Sequence, residues 1–268
     1  ELTEYTRHAL LPFNTSDIAL CAAAASMDDD EYNELQRKTG LKKLVMAGGV
    51  ALNSVANGRV MRESNFEEVY IQPNAGDAGG SLGAALYVYH VLLKKPRVHV
   101  MKHSYYGQSF TREQEAASLK KAGLPHELVE DYKKVAERAV QAILDGKVIA
   151  LFQGRFEWGP RALGNRSIMA DPRRAEMQEV VNTKIKFREA FRPFAPVVTE
   201  ERASDFFDLG KAAGQYPQRF MLMVSPIPES RHAEIPAVCH NGTGRLQTVD
   251  PESNPLYYEI VHQFGQAT

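Results

Sequence analysis

Two stretches, LKKLVMAGGVALNSVANGRVMRES (residues 41–64) and EEVYIQPNAGDAGGSLGAALYVYHVLL (67–93), run through the same order of elements: an apolar β-branched run, a glycine turn, then a helix-forming run. Strand, turn and helix in alternation confine this part of the chain to an α/β layer. Paired glycines between strand and helix let a ligand approach the backbone, while the helix N-terminus favours an anion. One such turn is commonly only a turn; two in one α/β unit make a nucleotide-site pattern. Asp77 stands inside the second loop, where a carboxylate can bind a hard cation or a ribose hydroxyl, or simply cap the helix.

Around this unit the reading is coarser. Residues 16–37, SDIALCAAAASMDDDEYNELQR, are rich in helix formers and read as a helix stopping at Thr39-Gly40. The first unit closes near Lys95, and PRVHVMKHSYYGQSF (96–110) reads as an irregular crossing between domains. A second mixed unit then follows, with a helix over TREQEAASLKKAG, a strand around HELVED, a helix over YKKVAERAVQAILDG and a strand at KVIALFQ. His99 and His103 have the spacing of a helical metal pair, but Pro96 and the alternation in VHV argue against a helix, so they are expected to be linker residues.

Composition excludes several classes. The 268 residues are 44% hydrophobic and 24% charged, which is ordinary globular composition, and the net charge of -1 leaves no basic excess for coating nucleic acid. Cys21 and Cys239 lie far apart in no metal-binding spacing, which fits a reducing cytoplasm. No apolar stretch approaches the roughly 20 residues of a membrane span. The opening ELTEYTRHALLPFN lacks the features of a signal peptide and starts without methionine, so the expectation is a portion of a longer cytoplasmic enzyme.

Against that neutral background, QGRFEWGPRALGNRSIMAD (153–171) gathers Arg155, Arg161 and Arg166 among glycine and proline. The following residues add Arg173, Arg174, Lys184, Lys186, Arg188 and Arg192. Arg161 lies in GPRALG, and Arg192 lies in FRPFAPVV among residues expected to be partly buried. Clustered guanidinium groups in rigid surroundings call for carboxylate or phosphate partners. Glu157 and Glu189 are the internal candidates; Arg173 and Arg174, beside Asp171 and Glu176, read as surface charges. Cations without an obvious nucleophile suit phosphoryl or nucleotidyl transfer, which depends on positioning and on spreading negative charge. Further on, CHNGTGRLQTVD brings Arg245 and Gln247 on an expected strand after a glycine turn.

Taken together, LVMAGGVALNSVANG, PNAGDAGGSLGAAL, QGRFEWGPRALGNRSIMADPR, NTKIKFREAFRPFAP and NGTGRLQTV resemble the O-carbamoyltransferases of the nodulation and antibiotic-tailoring type, in order, from about Ser16 onward. The resemblance implies that residues 1–95 are the C-terminal part of an actin-like (ASKHA) carbamoyl-transfer domain and 96–268 a YrdC-like domain forming carbamoyl adenylate from carbamoyl phosphate and ATP. It implies Arg161, Lys186 and Arg192 as the catalytic cations on the phosphates, with Arg155, Arg166, Ser167, Arg188 and Arg245 completing the carbamoyl phosphate and ATP site. Gly48, Gly49, Asn53 and Gly76 would line the adenylate pocket, and Asp77 would be a metal ligand.

Mg²⁺ would accompany ATP, and Fe²⁺ or a similar divalent ion would serve transfer to a hydroxyl of a small-molecule acceptor in the full-length enzyme. The family's two histidine ligands precede the AGGVALN motif, yet no HxxxH pair occurs before Gly48, so the N-terminal half of the actin-like domain is expected to be missing here. A homodimer is compatible with the resemblance; membrane and nucleic-acid partners are not expected. The alternative reading is a nucleotide- or RNA-binding regulatory module of YrdC-like type.

Overall fold

The computed structural model describes residues 18–22 and 29–268, with side chains from Tyr32 onward. Strands Ile18–Ala22, Lys43–Ala47 and Glu68–Ile71 form a parallel sheet in that order, with Leu44 opposite Val69 and Met46 opposite Ile71. The expected single helix over 16–37 is therefore divided: Ile18–Ala22 is an edge strand and the helix is Asp29–Thr39, residues 16, 17 and 23–28 lying outside the described residues. Ile18, Leu20 and Cys21 share the apolar character of a strand, and pairing with Lys43–Ala47 prevails over local helix propensity. The two glycine turns lead, as expected, into the helices Ser54–Glu63 and Gly80–Tyr87.

The second half mixes short sheets with helices. Strands Ile149–Phe152 and Arg166–Met169 pair antiparallel, and helices Tyr132–Leu144 and Pro255–Ala267 cover one face through Ala136, Val140, Ile143 and Ile260. Asp131 caps the first of these helices and Asn254 the second. The expected strand at HELVED does not form. Leu124 and Leu128 are exposed there, Glu127 pairs with Arg138 at 2.8 Å, and the stretch only bridges the end of one helix and the cap of the next.

The largest core crosses between the two halves of the sequence. Leu44, Met46, Val60, Met61, Phe66 and Ile71 pack with Leu163, Ala212 and Phe220 to Met223. Hydrogen bonds follow the same seam: buried Asn57 donates to the Leu222 carbonyl at 2.9 Å, Arg62 to the Val224 carbonyl at 2.8 Å, and Lys211 to the Ser64 carbonyl at 2.7 Å. Gly58 makes this closeness possible, because a Cβ there would lie 2.1 Å from the Val224 carbonyl oxygen. Gly to Ala inside a helix ordinarily stabilises by up to about 1 kcal/mol. Here the sign should reverse: Gly58→Ala is expected to cost about 1–3 kcal/mol by forcing the seam apart, read as a lower denaturation midpoint. A variant as stable as the parent would show that the seam is not close-packed.

Candidate functional site

The loop joining strands Ile149–Phe152 and Arg166–Met169 carries the GPRALG sequence, and one carboxylate closes it. Glu157 Oε1 accepts from the backbone N–H groups of Leu163 (2.9 Å), Asn165 (2.9 Å) and Arg166 (3.1 Å). A second set of bonds holds the loop's carbonyls: Tyr105 Oη donates to Leu163 at 2.7 Å, Gln247 Nε2 to Leu163 at 3.1 Å, and Gln153 Nε2 to Gly164 at 2.9 Å. Asn254 ties these together, donating to Tyr105 Oη and to Asn165 Oδ1, each at 2.9 Å. These amides are occupied, so this face of the loop offers an anion no backbone cradle of the kind formed by phosphate loops. The side chains carry the charge.

Arg161, near the loop's apex, keeps its Nε buried without a hydrogen-bond partner, and burial pulls its guanidinium below the usual range. Arg245 lies between the short strands Thr243–Gly244 and Gln247–Val249. Burial first, then the charges of Arg161 and Arg188, bring its guanidinium down to about 10. Arg188 is held by its Nε–H bond to Asn182 Oδ1 at 2.7 Å and lies over the Phe194 ring at 5.1 Å. Among the described residues no carboxylate forms an ion pair with Arg161, Arg188 or Arg245. Three half-buried cations facing one another are an unfilled demand for an anion.

The remaining expected residues divide. Arg166 is used in the framework: its guanidinium lies between Phe152 (3.6 Å) and Phe156 (4.0 Å) and donates to the carbonyls of Gln153 and Asn165. Ser167 Oγ accepts from the Gly164 N–H at 2.8 Å. Arg155 is exposed and donates to the Tyr106 and Gly107 carbonyls. Lys186 is exposed, beside the cluster in sequence. Arg192, expected to be partly buried, is instead 52% exposed and pairs with Glu189 at 2.7 Å, because the bend after Glu189 turns it outward. Glu189 is thus an internal neutraliser of the kind anticipated, whereas Glu157 binds amides. Arg173 and Arg174 are not plain surface charges; both reach the buried Asp171, at 2.7 and 3.8 Å.

The first constellation also comes together. The Gly48 N–H donates to the Ala75 carbonyl at 2.9 Å, and the space a Gly76 Cβ would take lies against the Gly49 Cα and Leu52. Asn53 caps the Ser54–Glu63 helix by accepting from the Ala56 N–H at 3.2 Å, so its side chain is committed there. The arginine loop docks beside this pair of turns. Gly159, with φ of 121°, leaves only 2.9 Å between a hypothetical Cβ and the Pro73 carbonyl oxygen, at the entrance to the second glycine turn. Asp77 is exposed, and among the described residues no group of three His, Cys, Asp or Glu side chains could hold a metal ion. A lone exposed carboxylate does not fit an iron centre, which needs several protein ligands. His99 is hydrogen-bonded to Tyr106 Oη at 2.9 Å and His103 stacks on Tyr105, in a segment without helix.

Comparison with known proteins gives a consistent picture. Residues 27–86 match the family model described as "Carbamoyltransferase N-terminus", and residues 140–268 the one described as "Carbamoyltransferase C-terminus". The chain is 42% identical over 231 residues to "Nodulation protein NolNO" of Sinorhizobium fredii, covering 86% of this chain and 34% of that protein. It is 42% identical to "Uncharacterized protein sll1178" of Synechocystis, covering 88% of this chain and 42% of that protein. With the "3'-hydroxymethylcephem-O-carbamoyltransferase" of Streptomyces clavuligerus it shares 31% identity, covering 83% of this chain and 40% of that protein. The chain thus spans less than half the length of these curated relatives. No helix among the described residues is long and apolar enough to cross a membrane.

Sequence reasoning missed Asn254, Tyr105 and the loop-holding part of Gln247 and Glu157; only Glu157, an acid inside an otherwise basic stretch, left a trace in the sequence. Replacing it tests the loop. Glu157→Ala leaves three amides without their acceptor and should lower stability by about 2 kcal/mol or more. The same variant should lose affinity for an inorganic anion such as tripolyphosphate, since Arg161 rides on that loop. Denaturation and calorimetric titration, run side by side, check both; an unchanged midpoint would mean that the carboxylate does not hold the loop.

Proposed function

The chain belongs to the carbamoyltransferase family, and on that premise we propose that its second half makes carbamoyl adenylate from carbamoyl phosphate and ATP for O-carbamoylation of a small-molecule hydroxyl. The observation that carries the reading is the cluster of Arg161, Arg188 and Arg245, carried on a pinned loop, a bonded turn and a strand junction and, among the described residues, in no ion pair with a carboxylate. In this reading residues 96–268 are the YrdC-like adenylate-forming domain, and residues 1–95 are the end of an actin-like transfer domain. The turns at Gly48, Gly49 and Gly76 line the adenylate pocket. Their closeness to the Gly159 turn supports a short path between the two.

The chemistry asks for what the cluster has. Carbamoyl phosphate gives up its phosphoryl group to water, releasing phosphate and leaving carbamate. A carbamate oxygen then attacks the α-phosphorus of ATP, whose bond to the bridging oxygen breaks, so that pyrophosphate leaves with that oxygen's electron pair. The acceptor hydroxyl finally attacks the carbamoyl carbon, AMP departs, and the hydroxyl proton goes to solvent or a base. Both phosphorus steps spread negative charge over oxygens that fixed guanidinium groups stabilise without reorganising. Arg161 and Arg245 contact the phosphates, with Arg188, Lys186 and Arg192 around them; Arg155, Arg166 and Ser167 keep the strand pair and loop in place. Mg²⁺ would arrive with ATP. Asp77 would need further ligands from outside the described residues to hold a divalent metal such as iron. The net charge of -1, with cations confined to a local cluster, supports a small polyanion over RNA.

Mutually repelling cations make a sign prediction. The charged form of Arg245 destabilises the fold at every pH below about 10, and this cost diminishes as pH rises above it. Arg245→Gln and Arg161→Gln should therefore leave stability equal or higher while weakening ATP by about ten-fold or more, the worth of one charge-assisted contact. Pyrophosphate release that requires ATP and carbamoyl phosphate together should fall in both variants. Release from ATP alone, or unchanged affinities in both folded variants, would overturn the assignment.

A further inference from the structure

Phe187 stands out in the turn that carries Arg188. It is 84% exposed, and its backbone φ of 50° lies in the left-handed region that a bulky side chain rarely adopts. Its neighbours are fixed on both sides: the Lys186 N–H donates to the Val181 carbonyl at 2.9 Å and the Arg188 N–H to the Asn182 carbonyl at 3.0 Å. Asn182, fully buried, also bonds the Arg188 side chain and donates to the Ala190 and Arg192 carbonyls at 3.0 and 2.9 Å. One buried amide thus holds Arg188 among the facing cations and fixes the turn on which Phe187, its neighbour in sequence, stands exposed. Packing does not explain this arrangement, because an exposed ring adds little to the core and the backbone is strained. Phe187 follows the end of the helix Val181–Ile185, a place where the chain commonly turns left-handed but where glycine or asparagine usually stands, so the choice of a bulky exposed phenyl there asks for a use.

We propose that Phe187 is the stacking platform for the nucleotide base when the polyphosphate lies on Arg161, Arg188 and Arg245. The inference rests on the reading of those arginines as the ATP phosphate site. A flat phenyl face takes a purine through its π surface without reading its edge, so the platform suits a purine nucleoside triphosphate with weak discrimination between bases.

Phe187→Gly separates this from a structural role, because glycine accepts the left-handed backbone without strain and the variant should unfold close to the parent's midpoint. Titrating the 268-residue chain and its variants with ATP and with inorganic tripolyphosphate gives the readout. In Phe187→Gly, ATP affinity should fall by about ten-fold while tripolyphosphate is held as before, and Phe187→Trp should bind ATP at least as well as the parent. Equal weakening of both ligands would mean that Phe187 shapes the loop and not the base site, overturning the inference. Unchanged ATP affinity in Phe187→Gly, in a protein that still binds tripolyphosphate, would overturn it too and leave the ring, with exposed Ile185 and Phe191, as a protein-contact patch. A parent chain that fails to bind tripolyphosphate would overturn the phosphate assignment itself, and this inference with it.

Discussion

A single carboxylate sets the geometry of the arginine loop. Glu157 spends one oxygen on three consecutive-region amides, at Leu163, Asn165 and Arg166, and so bends the loop around itself. A charged acceptor with several donors is a strong arrangement, since each bond is charge-assisted and the backbone pays its ordering cost once for all of them. With the amides from Leu163 to Arg166 engaged, this part of the loop can present only side chains to a ligand. Its reach toward an anion therefore lies with Arg161, backed by Arg188 and Arg245 from two other segments.

That assembly runs against the fold's own stability. Half-buried guanidinium groups that face each other lose hydration and repel, and among the described residues none of the three is in an ion pair, Glu189 acting on Arg188 only at longer range while it pairs with Arg192. Elsewhere many arginines are engaged, with carboxylates, as Arg219 is with Glu200 and Asp250 and Arg173 and Arg174 with Asp171, or with backbone carbonyls, as Arg62 and Arg166 are. The contrast within one chain separates the two uses of arginine better than sequence density does. Paired arginines hold segments together. In the proposed reading the unpaired cluster holds a place for a ligand, and the surrounding bonds through Asn182, Gln247 and Asn254 fix the segments that carry it.

Local pattern made much of the fold legible. The glycine turns, the helices after them and the strand Ile149–Phe152 all carry their signals within a few residues, and all are present. The Ile18–Ala22 strand was hidden because its alanine-rich surroundings favour a helix and only the partner strand decides otherwise. HELVED failed for the opposite reason: strand-like residues without a sheet edge to join. For the candidate site, glycine and arginine together drew attention to Arg161 and Arg245, which the fold brings near each other, yet the exposure of Arg192 was not legible, because an i,i+3 pair with Glu189 turned it toward water. Hydrophobic neighbours in sequence do not guarantee burial at the end of a loop. Asn254 and Tyr105 left no signal at all, since they act through contacts some 60 to 150 positions away.

The seam between the halves bears on how the two glycine turns and the arginine loop can work together. A boundary near Lys95 is natural in sequence, but the largest core runs across it, from the first sheet to Phe220–Met223. The crossing hydrogen bonds end on backbone carbonyls of Leu222, Val224 and Ser64, so they fix the main chain of one half against side chains of the other. Such contacts resist sliding, because a shift of one residue loses all of them at once. Gly159 against Pro73 continues the seam to the glycine turns. If, as proposed, a reactive mixed anhydride forms at the arginines, the glycine turns stand at a fixed separation from it, and a fixed separation shields a hydrolysable intermediate better than a hinge that opens to water.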